Sequence, residues 1–75
     1  MREEEIIELL SQQDEEFRRL REEHQWLHRK VDELNEKEVL TPAERLRREE
    51  LKKRKLLLKD RMEEIIEEYR RSQGR

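Results

Sequence analysis

The first half of the chain carries a regular series of mostly apolar positions, alternately four and three residues apart. The series is Ile6, Leu10, Gln13, Phe17, Leu20, His24, Leu27, Val31 and Leu34. This spacing keeps one narrow stripe on the side of an α-helix, as in coiled coils. Only Gln13 and His24 interrupt its apolar character. The pattern predicts a long helix over about residues 12–38 with a single apolar side.

A strong helix start follows this segment. Thr41 can accept hydrogen bonds from free backbone amides, Pro42 suits the first helical position, and Glu44 completes a capping box. The residue before a proline avoids helical backbone angles, so a helix through Thr41 is disfavoured. We therefore predict a turn at about residues 39–41 and a second helix at about 42–71. Its own 4,3 series is Leu51, Lys55, Leu58, Met62, Ile65 and Tyr69.

The first ten residues leave two possibilities open. Residues 2–10 form either a short amphipathic arm or the start of the first long helix. A polar stretch separates them from Phe17, and Ser11 with Asp14 resembles a weak capping signal for a separate helix. The pattern does not decide between these alternatives.

The two 4,3 series predict how the long helices pair. Folding the chain near residue 40 places Val31 beside Leu51 and Phe17 near Ile65 and Ile66, so both apolar stripes face each other. The predicted fold class is all-α, an antiparallel two-helix hairpin that resembles a coiled coil, with a short amino-terminal helical arm. We expect a single domain over residues 1–75.

Composition supports helices and limits the classes of protein. Charged residues make up 53% of the chain, yet 19 basic and 21 acidic residues nearly balance. Long helices suit this content better than self-repelling disorder does. There is no cysteine, and no apolar run approaches a membrane span or a signal peptide. We expect a cytoplasmic protein.

Candidate catalytic chemistry is sparse. His24 and His28 lie four residues apart, a spacing that can form a metal-binding face. The residues between them are Gln25, Trp26 and Leu27, so the glutamate and the supporting residues of a real metal site are missing, and the alternative is that His24 packs against the second helix. No nucleophile arrangement or phosphate loop is present. We predict no enzymatic activity, no catalytic residue, no metal, no cofactor, no small-molecule substrate and no membrane association.

Charge is separated along the chain. Residues 1–16 contain one basic and seven acidic residues, whereas residues 45–61 contain nine basic and three acidic residues. The second block could bind phosphate backbones, which makes a nucleic-acid-binding accessory protein the alternative function. The candidate basic patch is Arg45, Arg48, Lys52, Lys53, Lys55 and Lys59. The competing interpretation is a solvated helix face that pairs with the acidic residues of the first helix.

The function we predict is protein–protein interaction. In the predicted register the arm has little or no second helix to pack on, so its apolar side chains should be exposed. Further apolar residues lie off the main stripes, and large exposed apolar patches mark contact sites. The candidate interaction surface is Ile6, Ile7, Leu10, Trp26, Leu56 and Leu57. We expect a homo-oligomer, with a symmetric dimer favoured, or docking on a partner helix.

Two motifs resemble a known family. Phe17, Leu20, His24, Leu27 and Val31 have the spacing, and residues 55–60 the Lys-Leu-x-Leu-Lys-Asp motif, of the YdcH-like family of small bacterial proteins with a domain of unknown function. The resemblance extends to Ile6, Ile7 and Leu10. It implies an all-helical hairpin preceded by a short helix, with no known activity, cofactor or partner. Trp26, His28 and Leu57 depart from the family's usually polar residues at these positions.

Overall fold

Three helices account for the fold. The computed structural model describes residues 1–74 and contains α1 (Glu3–Gln13), α2 (Glu15–Asn35) and α3 (Pro42–Gln73), with no strand in that range. The chain measures 52 × 20 × 16 Å. The prediction of an all-α fold is confirmed.

The start of α3 has the predicted capping box. Thr41 Oγ1 accepts a hydrogen bond from the Glu44 backbone N–H at 3.1 Å, and Glu44 Oε1 accepts one from the Thr41 N–H at 3.0 Å. Lys37 also pairs with the Glu44 carboxylate. The bonds from Lys37 and from the Thr41 backbone lower the pKa of Glu44 to about 2. The turn between the helices is therefore joined to the first turn of α3.

The break between α1 and α2 falls at Asp14, which has extended backbone angles. Its Oδ1 accepts a hydrogen bond from the Phe17 N–H at 3.1 Å, so Asp14 and not Ser11 caps α2. Ser11 instead lies within α1, where its hydroxyl donates to the Ile7 carbonyl and accepts from Arg21. A short helix thus precedes the long one, and it extends to Gln13 rather than ending near residue 10.

The connection between α2 and α3 is longer than predicted. α2 ends at Asn35 instead of about residue 38, and residues 36–41 form the connection. Leu34 is the last buried side chain before Thr41, and residues 35–39 are exposed, so they add little apolar packing to α2. A backbone hydrogen bond from the Lys37 N–H to the Leu34 carbonyl closes the end of α2.

Side chains of α2 and α3 meet in an order typical of antiparallel helices. As residue numbers rise along α3, the numbers of the α2 partners fall. The three pairs are Asn35 with Arg48, Glu23 with Arg54, and Glu16 with Arg61.

The main core lies at the end of the molecule where all three helices meet. Ile6, Leu10, Phe17, Ile65 and Ile66 are buried there, and half-buried Ile7, Leu20, Met62 and Tyr69 pack against them. A second buried group on α2, Leu27, Val31 and Leu34, lies nearer the turn.

This core contradicts the expectation that the arm has exposed apolar residues. Ile6 is 1% exposed and Leu10 is 6% exposed. The physical reason is that the chain bends at Asp14, while α3 continues to Gln73 and offers Ile65, Ile66 and Tyr69 as a packing surface. α1 is therefore part of the fold and does not extend from it.

Candidate interaction surfaces

Two adjacent leucines stand out in the middle of α3. Leu56 is 59% exposed and Leu57 is 69% exposed, whereas Leu58 is half-buried against the rest of the fold. One turn away on either side, on the same outward face, lie Lys53 and Asp60. We call these four residues, 53, 56, 57 and 60, the α3 outer face.

The other candidate apolar residues do not join this face. Trp26 is on α2, where it is 43% exposed and has the Lys30 ammonium 5.6 Å from its ring centroid. Ile6 and Leu10 are buried within the chain and Ile7 packs against the same core. The six residues predicted as one interaction surface therefore lie in three places, and only Trp26, Leu56 and Leu57 are exposed.

Five of the six candidate basic residues form a row along α3. Arg45, Arg48, Lys52, Lys55 and Lys59 are spaced three, four, three and four residues apart, which places them on one side of the helix. We call this row the basic stripe. Lys53 lies outside it, on the α3 outer face.

The basic stripe lies against polar side chains of α2. The Arg48 guanidinium donates a hydrogen bond to Asn35 Oδ1 at 3.4 Å, and Lys55 Nζ lies 3.2 Å from His28 Nδ1. The other ring nitrogen of His28 is 3.3 Å from Asp32. A neutral imidazole can accept from the lysine and donate to the aspartate at these distances.

The pKa of His24 reflects its burial and the positive charges near it. It is half-buried between the helices, and burial lowers its pKa below the usual 6.5, with further lowering from Lys55, His28 and Lys59. A neutral His24 avoids placing another positive charge beside the stripe. This supports packing against α3 over metal binding. Among residues 1–74, no three His, Asp or Glu side chains converge on a point where a metal ion could bind.

The opposite side of the α2–α3 pair has a different charge arrangement. There Arg54 pairs with Glu23, while Arg61 pairs with Glu16 at 3.1 Å and with Glu64 at 3.1 Å. These carboxylates raise the pKa of Arg61, with the Glu16 hydrogen bond contributing most. Arg54 and Arg61 on this side have carboxylate partners, unlike most of the cations in the basic stripe.

A protein-family match covers most of α2 and most of α3. The family described as "Protein of unknown function (DUF465)", to which YdcH-like proteins belong, matches residues 17–66, two thirds of the chain. The chain belongs to the DUF465 family. The match begins at Phe17, so the resemblance noted for Ile6, Ile7 and Leu10 lies outside it. No curated protein and no solved structure matches the chain.

DUF465 membership assigns no reaction or partner to the chain. None of the helices in residues 1–74 is long and apolar enough to cross a membrane.

Sequence reasoning found the basic residues but missed their arrangement. The 3,4,3,4 spacing from Arg45 to Lys59 is visible in the sequence, yet Lys53 and Arg54 lie within it and make the segment look like an undivided basic block. The position of Lys53 and Asp60 on either side of two exposed leucines was missed for a similar reason, because it depends on which side of α3 faces α2.

Proposed function

We propose that this chain is a non-enzymatic self-assembly module, in which α2 and α3 act as an antiparallel, coiled-coil-like hairpin and the α3 outer face binds a second copy. The observation that carries the proposal is the exposure of Leu56 and Leu57 at the centre of that face. Two adjacent exposed leucines lose apolar contact with water when another helix covers them.

Charge on α3 favours a second copy as the partner. The carboxyl-terminal half of the exposed surface is acidic, and a shallow groove there is lined by Asp60, Glu63, Glu64, Glu67, Glu68 and Arg71. From Arg45 to Lys59 the amino-terminal half contains eight basic residues and two acidic ones, Glu49 and Glu50. Two α3 helices that cross antiparallel bring a half of net positive charge near a half of net negative charge, although Glu49 and Glu50, on the same side of α3 as Lys53, then lie opposite Glu64 and Glu63.

The α3 outer face has the arrangement that a two-fold axis requires. In a symmetric contact, the same patch on both subunits must be complementary to itself. An axis that passes between Leu56 and Leu57 brings these leucines together and sets Lys53 of each copy opposite Asp60 of the other. A parallel arrangement would instead place like charges side by side.

Sedimentation equilibrium tests self-assembly directly. We expect a dimer at about 100 μM, well above the dissociation constant of a micromolar complex. Leu57→Asp should give a monomer, because it places two carboxylates at the centre of the contact. Val39→Asp is the matched control, since Val39 is 80% exposed in the α2–α3 connection, and it should remain dimeric.

A charge-exchange series tests the register. Lys53→Asp or Asp60→Lys alone places like charges opposite each other and should weaken the dimer by about tenfold. The double variant Lys53→Asp/Asp60→Lys restores opposite charges and should recover the dimer. A monomeric wild-type chain would refute self-assembly and leave a partner helix as the occupant, whereas a double variant weaker than both single variants would refute this register.

A further inference from the structure

The basic stripe is long, straight and largely without carboxylate partners. It extends over 15 residues from Arg45 to Lys59, a length of about 21 Å along a helix. Four of its five cations form no ion pair with a carboxylate in the part of the chain that the structure describes, and Arg48 has only Glu49 at 3.8 Å. Arg45, Lys52 and Lys59 are exposed.

The surroundings of the stripe keep it positive. On α2 it meets Asn35, His28 and the half-buried His24, and the nearby carboxylate, Asp32, is already engaged by His28. A row of cations largely without carboxylate partners is a favourable site for a polyanion, because binding replaces mutual repulsion with attraction.

We propose that the basic stripe binds the phosphodiester backbone of nucleic acid without reading its base sequence. Regularly spaced cations can neutralise successive phosphates and release the counterions condensed on them, which supplies affinity that is independent of sequence. The stripe residues are lysines and arginines, with no aromatic side chain among them for stacking on bases. Trp26 lies one turn from Glu23, on the side of α2 that pairs with Arg54, away from the stripe.

Two other anionic partners, an acidic helix and an anionic membrane surface, fit this surface less well. An acidic amphipathic helix needs a groove that accepts apolar residues three and four positions apart, and a membrane-bound helix needs an apolar face beside its cations. The exposed apolar residues within one turn of the stripe are Leu46, Leu56 and Leu57, and the charged residues Glu49, Glu50 and Lys53 separate the first from the other two, so they form no continuous apolar face. A phosphodiester backbone needs only the cations.

Fluorescence anisotropy with duplex DNA and duplex RNA of random sequence tests the proposal. We expect affinity in low salt that falls steeply as salt increases, with a slope of about −4 to −5 on logarithmic axes for five phosphate contacts. Lys52→Gln/Lys59→Gln should weaken binding about tenfold and make the slope shallower by about two. Changing the base sequence of the probe should have little effect.

The control removes the same charge elsewhere on α3. Arg47 and Arg71 are exposed and lie outside the stripe, so Arg47→Gln/Arg71→Gln should retain most of the affinity. Circular dichroism checks that each variant remains helical. Equal losses in the two double variants would overturn the proposal, because net charge rather than the stripe would then account for binding.

Further probes exclude the competing polyanions. Two probes are used: vesicles that contain phosphatidylserine, and separately polyglutamate in helical form. At equal charge concentration, the protein should bind each of them more weakly than it binds duplex nucleic acid. Stronger binding to either, or no binding to nucleic acid in low salt, would overturn the proposal. Leu57→Asp retains the stripe and should still bind, so failure of self-assembly and failure of this site are distinguishable. Loss of binding in that variant would also count against the stripe.

Discussion

At the scale of single residues, Phe17 shows how much this fold depends on a few apolar side chains. It is fully buried among residues from all three helices. We expect Phe17→Ala to lower the free energy of unfolding by about 3–5 kcal/mol. Val39→Ala removes an 80% exposed side chain and should change it by less than about 0.5 kcal/mol. Urea denaturation followed by circular dichroism measures both, and equal losses would contradict this account of the core.

His24 should make stability depend on pH in a defined direction. Burial and Lys55 lower its pKa in the folded state, so the unfolded chain binds a proton more readily. Its contribution to stability is present above the usual pKa of 6.5 and is lost as pH falls through 6.5 towards the lowered value. In His24→Gln, the fall in melting temperature between pH 7 and pH 5.5 should be smaller than in the wild type. Identical pH profiles would refute this role.

At the scale of the helix, Thr41 determines where α3 begins. Thr41→Ala removes the hydroxyl that accepts from the Glu44 N–H and should cost about 1 kcal/mol. Thr41→Ser keeps a hydroxyl in the same place and should retain most of the stability. Thermal denaturation of the three proteins tests this, and a serine variant as unstable as the alanine variant would show that the hydroxyl is not the cause.

Because Glu44 is part of this cap, we also expect the stability of the folded state to change with pH in the acid range. Because the pKa of Glu44 is lowered to about 2, its charged form stabilises the folded state above its usual pKa of 4.5, and this contribution is lost as pH falls from 4.5 towards 2. Glu44→Gln should therefore be less stable than the wild type at pH 5 and approach it near pH 2. Melting temperatures across this range measure the difference, and a constant gap would contradict the mechanism.

At the scale of the whole molecule, the two ends of the fold should respond separately to substitution. Ile6 belongs to the core that joins α1 to Ile65 and Ile66, whereas Val31 and Leu34 are buried nearer the turn. We expect Ile6→Ala to increase hydrogen exchange in α1 and the carboxyl-terminal part of α3. Exchange near residues 27–34 should change less. Mass spectrometry resolves these segments, and a uniform increase would mean that the fold opens as one unit.

The sequence by itself determined the helices and the start of α3. The 4,3 spacing and the Thr41–Pro42–Glu44 cap are local features, because backbone angles and hydrogen bonds within one turn decide them. It also indicated that Phe17 meets Ile65 and Ile66, since two apolar stripes of similar length match in few registers. The break near Ser11 was foreseen as one alternative, but its position at Asp14 was not.

Only the tertiary structure decided which apolar and basic residues are available to a partner. Ile6 has the same local pattern whether it is exposed or buried, and it is buried because α3 reaches past the bend at Asp14. Likewise, Lys55 and Arg54 are neighbours in sequence, yet one meets His28 and the other Glu23. Successive helical residues point about 100° apart, so the packing of α2 assigns them to surfaces of different charge.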